Sequence, residues 1–264
     1  MPLIDIGANL AHDGFDDDRD ALMQRARDAG VGHCVVTGSD RASNARAAEL
    51  AAGDARLSAT AGLHPHHASD WNPAIAEQIT TAAREGRIAA VGEAGLDYFR
   101  DISPRADQHA VFTAQLEIAA ETGLPVFLHQ RESHADFKAI LSAHRDTLTA
   151  VVVHCFTDNE TALADYLALD CHIGITGWVC DERRGHALYD IVDQIPDERL
   201  MIETDCPYLL PRTIRPKPKS RRNEPAYLPW VAERVAQARG QTVDHINTIT
   251  TANAARFFSI DIPV

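Results

Sequence analysis

Five residues spread along this chain are of the types that hold a divalent cation or move a proton: His64, Glu93, His129, His154 and Asp205. Two to three imidazoles and two carboxylates make a nitrogen and oxygen donor set suited to a divalent ion. Such an ion polarises a phosphoryl or carbonyl oxygen and lowers the pKa of a bound water, which is what hydrolysis requires. In that reading Glu93, His129, His154 and Asp205 are ligands, and Asp205, being incompletely engaged, also takes the proton of the attacking water. A single histidine at the end of a buried strand is more often a satisfied structural group than a ligand. The set together points to chemistry, because burying so much charge and imidazole without a cation is costly.

The residues gain meaning from the elements that carry them. Short β-rich apolar runs fall at residues 3–6, 33–37, 57–62, 88–91, 125–128, 150–153, 172–175 and 200–203. Between them lie amphipathic stretches at 16–29, 43–52, 73–85, 105–122, 134–145, 161–169 and 187–194, and two more, 225–238 and 244–258, close the chain. Gly30, Gly86 and Gly123 follow helical stretches, where a left-handed cap is wanted. Eight strands alternating with helices predict a parallel sheet, and the count of eight predicts closure into a single-domain (β/α)8 TIM barrel spanning 1–264. An open doubly wound sheet is the alternative, but DIGANL after the first run lacks the glycine spacing of a dinucleotide fold. Asn9, His64, Glu93, His129, His154 and Asp205 all lie at or just beyond the ends of predicted strands. In a barrel those ends share one face, so the residues converge.

Composition narrows the function. The chain carries a formal net charge of −13, which disfavours nucleic-acid binding by the whole surface. Its five cysteines form no CxxC pair and read as reduced thiols, so a cytoplasmic protein is expected. The start, MPLIDIGANLAHDG, has no basic region and no long apolar run, so neither a secretory signal nor a membrane span is expected. One local reversal stands out. From Arg212 to Arg222 the sequence RTIRPKPKSRR holds six cations and no acid, with prolines that favour an extended loop. It follows Asp205 and so belongs to the same barrel face, where it could hold phosphates.

The segments GLHPHHA (62–68), VGEAGLDYFR (91–100), LPVFLHQR (124–131), VVHCFTD (152–158), IETDCPYLLPR (202–212) and RRNEPAYLP (221–229) resemble, in order, the successive motifs of the TatD family of metal-dependent deoxyribonucleases, a branch of the amidohydrolase superfamily. The resemblance implies a (β/α)8 barrel and a metal-dependent hydrolase, a 3′→5′ exonuclease on single-stranded DNA and RNA. It makes Glu93, His129 and His154 metal ligands, Asp205 the acid that binds metal and activates water, and His64 a further catalytic histidine against the scissile phosphate. Many relatives begin with an HxH pair after the first strand. Here those positions are Gly7 and Asn9. That departure matches the TatD subgroup and implies one firm metal site with a second, weaker one. Fewer nitrogen ligands also favour Mg2+, with Mn2+ and Zn2+ as alternatives.

Asn9, Tyr98, Arg131 and Arg212 are candidate substrate or phosphate contacts on the same face, and Tyr98, Phe99 and Trp178 are candidate stacking surfaces for unpaired bases. His66 and His67 follow His64 in a turn that is expected to aim only one of them inward. The expected partner is single-stranded DNA or RNA, with no membrane, and the expected state is a monomer. Two other readings compete: the same centre acting on an ester or amide, such as a D-aminoacyl-tRNA, and a binding module that has lost its chemistry. Retention of all four ligand-competent residues disfavours the second.

Overall fold

The computed structural model describes residues 2–261. Eight strands lie in the order of the chain, every neighbouring pair parallel: β1 (Leu3–Ala8), β2 (Val31–Val36), β3 (Leu57–Ala61), β4 (Ala90–Asp97), β5 (Val126–Arg131), β6 (Val151–Val153), β7 (His172–Ile175) and β8 (Leu200–Ile202). The Ala8–Cys206 bridge and the bond from Asp205 N–H to the Gly7 carbonyl, 2.8 Å, bring the end of β8 back to β1. The fold is the (β/α)8 barrel that the alternation of runs and helical stretches predicts. Its helices are α1 (Arg19–Asp28), α2 (Arg41–Gly53), α3 (Pro73–Arg84), α4 (Arg105–Thr122), α5 (His134–His144), α6 (Glu160–Ala168), α7 (His186–Ile191), α8 (Leu228–Arg239) and α9 (Val243–Phe258).

The core has two parts, because each strand is buried on both faces. Ile4, Ile6, Val35, Ala90, Phe127, Val152 and Met201 form one apolar cluster, which Phe257 and Phe258 of α9 join at the end where the strands begin. A larger cluster packs the outer faces of the strands against the helices. With one end of the barrel filled by hydrocarbon, polar side chains are left to the other end.

The predicted helix ends are seen where the chemistry demands them. Gly30, Gly86 and Gly123 adopt positive φ of 87°, 68° and 70°. Two strands run longer than their apolar runs: β4 extends to Asp97 and β5 to Arg131. Glu93 and His129 therefore lie inside strands; His129 pairs with Gly95 across the β4–β5 ladder, and the Glu93 N–H bonds the Gly38 carbonyl at 2.8 Å. Polar residues extend these strands because at the active end of a barrel an inward position need not be apolar. No helix among the described residues is long and apolar enough to cross a membrane.

Candidate metal centre

Glu93 is aimed by a bulge. Val91 pairs with Val126 while Ala94 pairs with Leu128, so β4 carries one more residue than β5 across this step. An extra residue bends a strand and redirects its side chains. Gly92 makes the bulge feasible: its φ is 143°, and a Cβ there would lie 2.1 Å from the Phe127 carbonyl oxygen. The outcome is a carboxylate with one oxygen shared by three imidazoles. Glu93 Oε1 lies 2.8 Å from His154 Nε2, 3.0 Å from His129 Nδ1 and 3.5 Å from His64 Nε2.

This cluster has the form of an ion-binding site. One donor atom from each of His64, Glu93 and His129 lies within 4.8 Å of the others. His129 Nε2 is buried with no hydrogen-bond partner, its nearest acceptor being Asp97 Oδ2 at 3.5 Å. An unsatisfied buried nitrogen is rare and costly, and a cation is one group that resolves it. The electrostatics agree. Burial works to keep Glu93 neutral, but His64 and His154 outweigh it and hold the carboxyl well below its usual range. Burial also opposes charge on His154, yet Glu203 and Glu93 raise it well above an ordinary histidine. His64 goes the other way, pushed well down by burial. An ionised Glu93 and an imidazole of low basicity at His64 are available as cation donors, whereas a metal that binds must displace the proton drawn onto His154.

Of the four residues read as ligands, Glu93, His129 and His154 come together as expected, and His64 joins them more tightly than the sequence suggested. Asp205 stands beside this group. It is fixed by Asn9, whose side-chain amide donates to Asp205 Oδ1 at 2.9 Å. Its backbone takes a φ of 52°, an uncommon conformation for a residue with a side chain. Burial pushes its carboxyl up to about 7, with Glu93 and Glu203 adding repulsion against the pull of His154.

Of His66 and His67, only one turns inward, as expected: His66 Nε2 lies 2.7 Å from Asp97 Oδ2, and His67 is exposed. Two residues of the site were missed in the sequence. Asp97 is buried; burial alone would raise its carboxyl, but the neighbouring His129 imidazole and the contact with His66 hold it far below its normal range. The signal was available, since residues 93 and 97 share one face of a strand by the period of two. Glu203, the last residue of the eighth run, is fully buried; it accepts from Cys155 N–H at 2.5 Å and lies 3.3 Å from His154 Nδ1. It thereby orients the imidazole whose other nitrogen faces Glu93.

Glu203 also explains Gly7. A Cβ at Gly7 would lie 2.1 Å from Glu203 Oε2, and one at Gly174 would lie 2.7 Å from Oε1. The space where a side chain at position 7 would project is filled by a carboxylate from the opposite end of the chain. Gly7→Ala should therefore destabilise the fold by about 1–3 kcal/mol, since the buried carboxylate has no free direction in which to move. Thermal unfolding checks this: a decrease in Tm of several degrees is expected, and an unchanged Tm would show that the carboxylate yields freely.

The outer residues divide. Tyr98 turns toward the helices, its hydroxyl donating to Asp136 at 2.6 Å and its ring covered by Arg105 at 3.9 Å. Arg131 stays at the mouth, bonded to Thr157, with its guanidinium 5.2 Å from the Phe99 ring centre and 5.0 Å from that of Trp178. Arg212 is held by Glu182 in a bidentate pair, 2.9 Å at each contact. His134 binds Tyr166 and Asp165 and faces away from the centre.

The family profile of TatD related DNase matches residues 4–259. The chain is 46% identical over 260 residues to the 3′-5′ ssDNA/RNA exonuclease TatD of Klebsiella pneumoniae (strain 342), covering 98% of this chain and 99% of that one. It is 47% identical to the protein of the same name from Pectobacterium parmentieri, covering 98% and 100%. Among solved structures it resembles YJJV, a TatD homologue from Escherichia coli K12, at 28% identity with a TM-score of 0.89, covering 98% and 99%. A TatD family hydrolase from Entamoeba histolytica is similar at 25% identity with a TM-score of 0.88, covering 97% and 98%. With a family match across the whole barrel and close relatives along its full length, the chain belongs to the TatD related DNase family of metal-dependent nucleases.

Proposed function

We propose that this barrel is a 3′→5′ exonuclease on single-stranded DNA and RNA, working on the phosphodiester nearest the 3′ end. The observation that carries the reading is the convergence of three imidazoles on one buried carboxylate oxygen, beside a second buried acid, at the mouth of the barrel. The names of the relatives supply the substrate class.

Glu93, His129 and His154 would hold the cation, with Asp205 at its border and Mg2+ as the expected ion. A divalent cation bound there supplies a Lewis acid for the phosphate and makes water more acidic. The protein's own groups do the rest. Asp205, aligned by Asn9, takes the proton of the attacking water. His64 faces the scissile phosphate from the cluster's edge, where burial lowers its basicity. Glu203 and Asp97 fix the orientation of His154 and of the pair His66 and His129. The five free cysteines, four of them buried, fit a reducing cytoplasm, and we read the enzyme as a monomer.

The test is direct. Single-stranded DNA labelled at its 3′ end should release labelled mononucleotide in Mg2+ and none in EDTA. Absence of release in Mg2+, Mn2+ and Zn2+ alike would overturn the assignment. Elemental analysis of the purified protein identifies the ion.

A further inference from the structure

A second feature of the mouth has no role in the centre itself. A cavity of about 690 Å3 runs outward between the segment after β7 and the loop after β8, lined by Trp178, Arg184, Arg212, Lys217, Lys219 and Arg221 among others. Tyr208 connects it to the metal centre along the chain, since the lining resumes at the next residue, Leu209. This residue lies three positions beyond Asp205, its N–H bonds the Asp205 carbonyl at 3.0 Å, and its ring is 54% exposed. Trp178, in the turn Gly177–Cys180 that follows β7, lines the cavity, with the guanidinium groups of Arg131 and Arg184 at 5.0 and 4.5 Å from its ring centre.

The charges of this groove are not all equivalent. Arg212 is held by Glu182, Arg184 pairs with Asp181 at 2.9 Å, and Arg222 pairs with Asp18 at 2.7 Å. Arg215 donates to the carbonyls of Arg212 and Ile214. These contacts pin the loop at both ends. Asn223 strengthens the second anchor, since its N–H bonds the Pro207 carbonyl and its side chain the Thr204 carbonyl. Lys217, Lys219 and Arg221 are different: they are exposed, and among the described residues their side chains make no ion pair and no hydrogen bond. Three unpaired cations on a loop anchored at both ends, in a chain of net charge −13, form a local site for a polyanion.

We propose that this groove holds the 5′-directed part of a single-stranded nucleic acid whose 3′ end lies in the metal centre. The strand passes between Tyr208 and Trp178, and Lys217, Lys219 and Arg221 bind its phosphates. The inference rests on the exonuclease reading, because an enzyme that consumes a strand from its 3′ end has only the 5′ side left to hold. Aromatic surfaces near the mouth and cations farther along are the usual arrangement for binding single strands without reading sequence. The enzyme thereby keeps its grip while successive 3′ nucleotides are removed.

Binding can be measured without turnover. A 5′-fluorescein oligonucleotide of about 12 nucleotides, with phosphorothioate at its 3′-terminal linkages, is titrated into the Mg2+ form of the protein and read by anisotropy. The variant Lys217→Glu/Lys219→Glu/Arg221→Glu should weaken Kd tenfold or more. Its plot of log Kd against log salt should lose about 2 from the slope, three phosphate contacts at ~0.7 each. The alanine triple variant should shift the same way by less. In cleavage, the ratio of kcat/KM for the long oligonucleotide to that for a dinucleotide should fall with Kd. Unchanged Kd, slope and ratio in both variants would overturn the groove. Failure of the wild type to cleave either substrate, with the salt-dependent binding intact, would instead overturn the exonuclease reading and leave the groove as a binding site.

Discussion

Glu93→Gln should leave a folded barrel with on the order of 10³-fold less activity or lower, a loss of several kcal/mol of transition-state stabilisation. The reason is specific to this carboxylate. Its Oε1 is the common neighbour of His64, His129 and His154, so no second acid can take its place at the centre of the cluster. An amide keeps the shape but removes the charge and offers one acceptor in place of two charged oxygens. Cation affinity should fall with activity, which separates this variant from one that only misplaces substrate. In the wild type Tm should rise as Mg2+ or Mn2+ is added, because a ligand of the native state alone stabilises it. In Glu93→Gln that rise should disappear while Tm in EDTA stays within a few degrees of wild type. Retained activity, or an undiminished metal-dependent rise in Tm, would remove Glu93 from the centre.

The barrel was legible because it is built from repeated local signals. Doubly buried strands read as continuous apolar runs, and helices between them read as amphipathic stretches closed by Gly30, Gly86 and Gly123. The convergence of His64, Glu93, His129 and His154 followed from topology alone, since the ends of parallel barrel strands share a face. The rest of the site depended on features that no local pattern records. The bulge at Gly92 is a matter of register between two strands, and it decides where Glu93 points. Glu203 meets Gly7 only because β8 closes on β1, so the glycine that reads as a missing ligand is also the space for a carboxylate. The basic loop was visible as composition, but its division into pinned and unpaired cations depends on Glu182, Asp181 and Asp18, which the chain brings in from elsewhere. Asp97 was the one omission that sequence reasoning could have prevented, because it shares a strand face with Glu93.

Asp205→Asn separates proton transfer from metal holding. Asp205 stands outside the cluster around Glu93 Oε1, and its carboxylate is oriented by the Asn9 amide. If it takes the proton of the attacking water, its amide variant should lose about 10²–10⁴-fold in kcat, the usual contribution of a positioned general base. KM should change far less, because the groups proposed to hold substrate and the firm metal site are intact. The isostere also keeps the backbone conformation at φ 52°, which asparagine tolerates well, so misfolding is not expected. Metal titration completes the argument. The firm site of Glu93, His129 and His154 should bind its ion with nearly wild-type affinity, while any second, weaker binding event seen in the wild type should vanish. A variant that loses the firm ion as well would make Asp205 a ligand of the main site and shift the proton-accepting role to another group. A variant with kcat within a few-fold of wild type would remove Asp205 from the chemistry, and the distance between it and the imidazole cluster would then reflect structure alone.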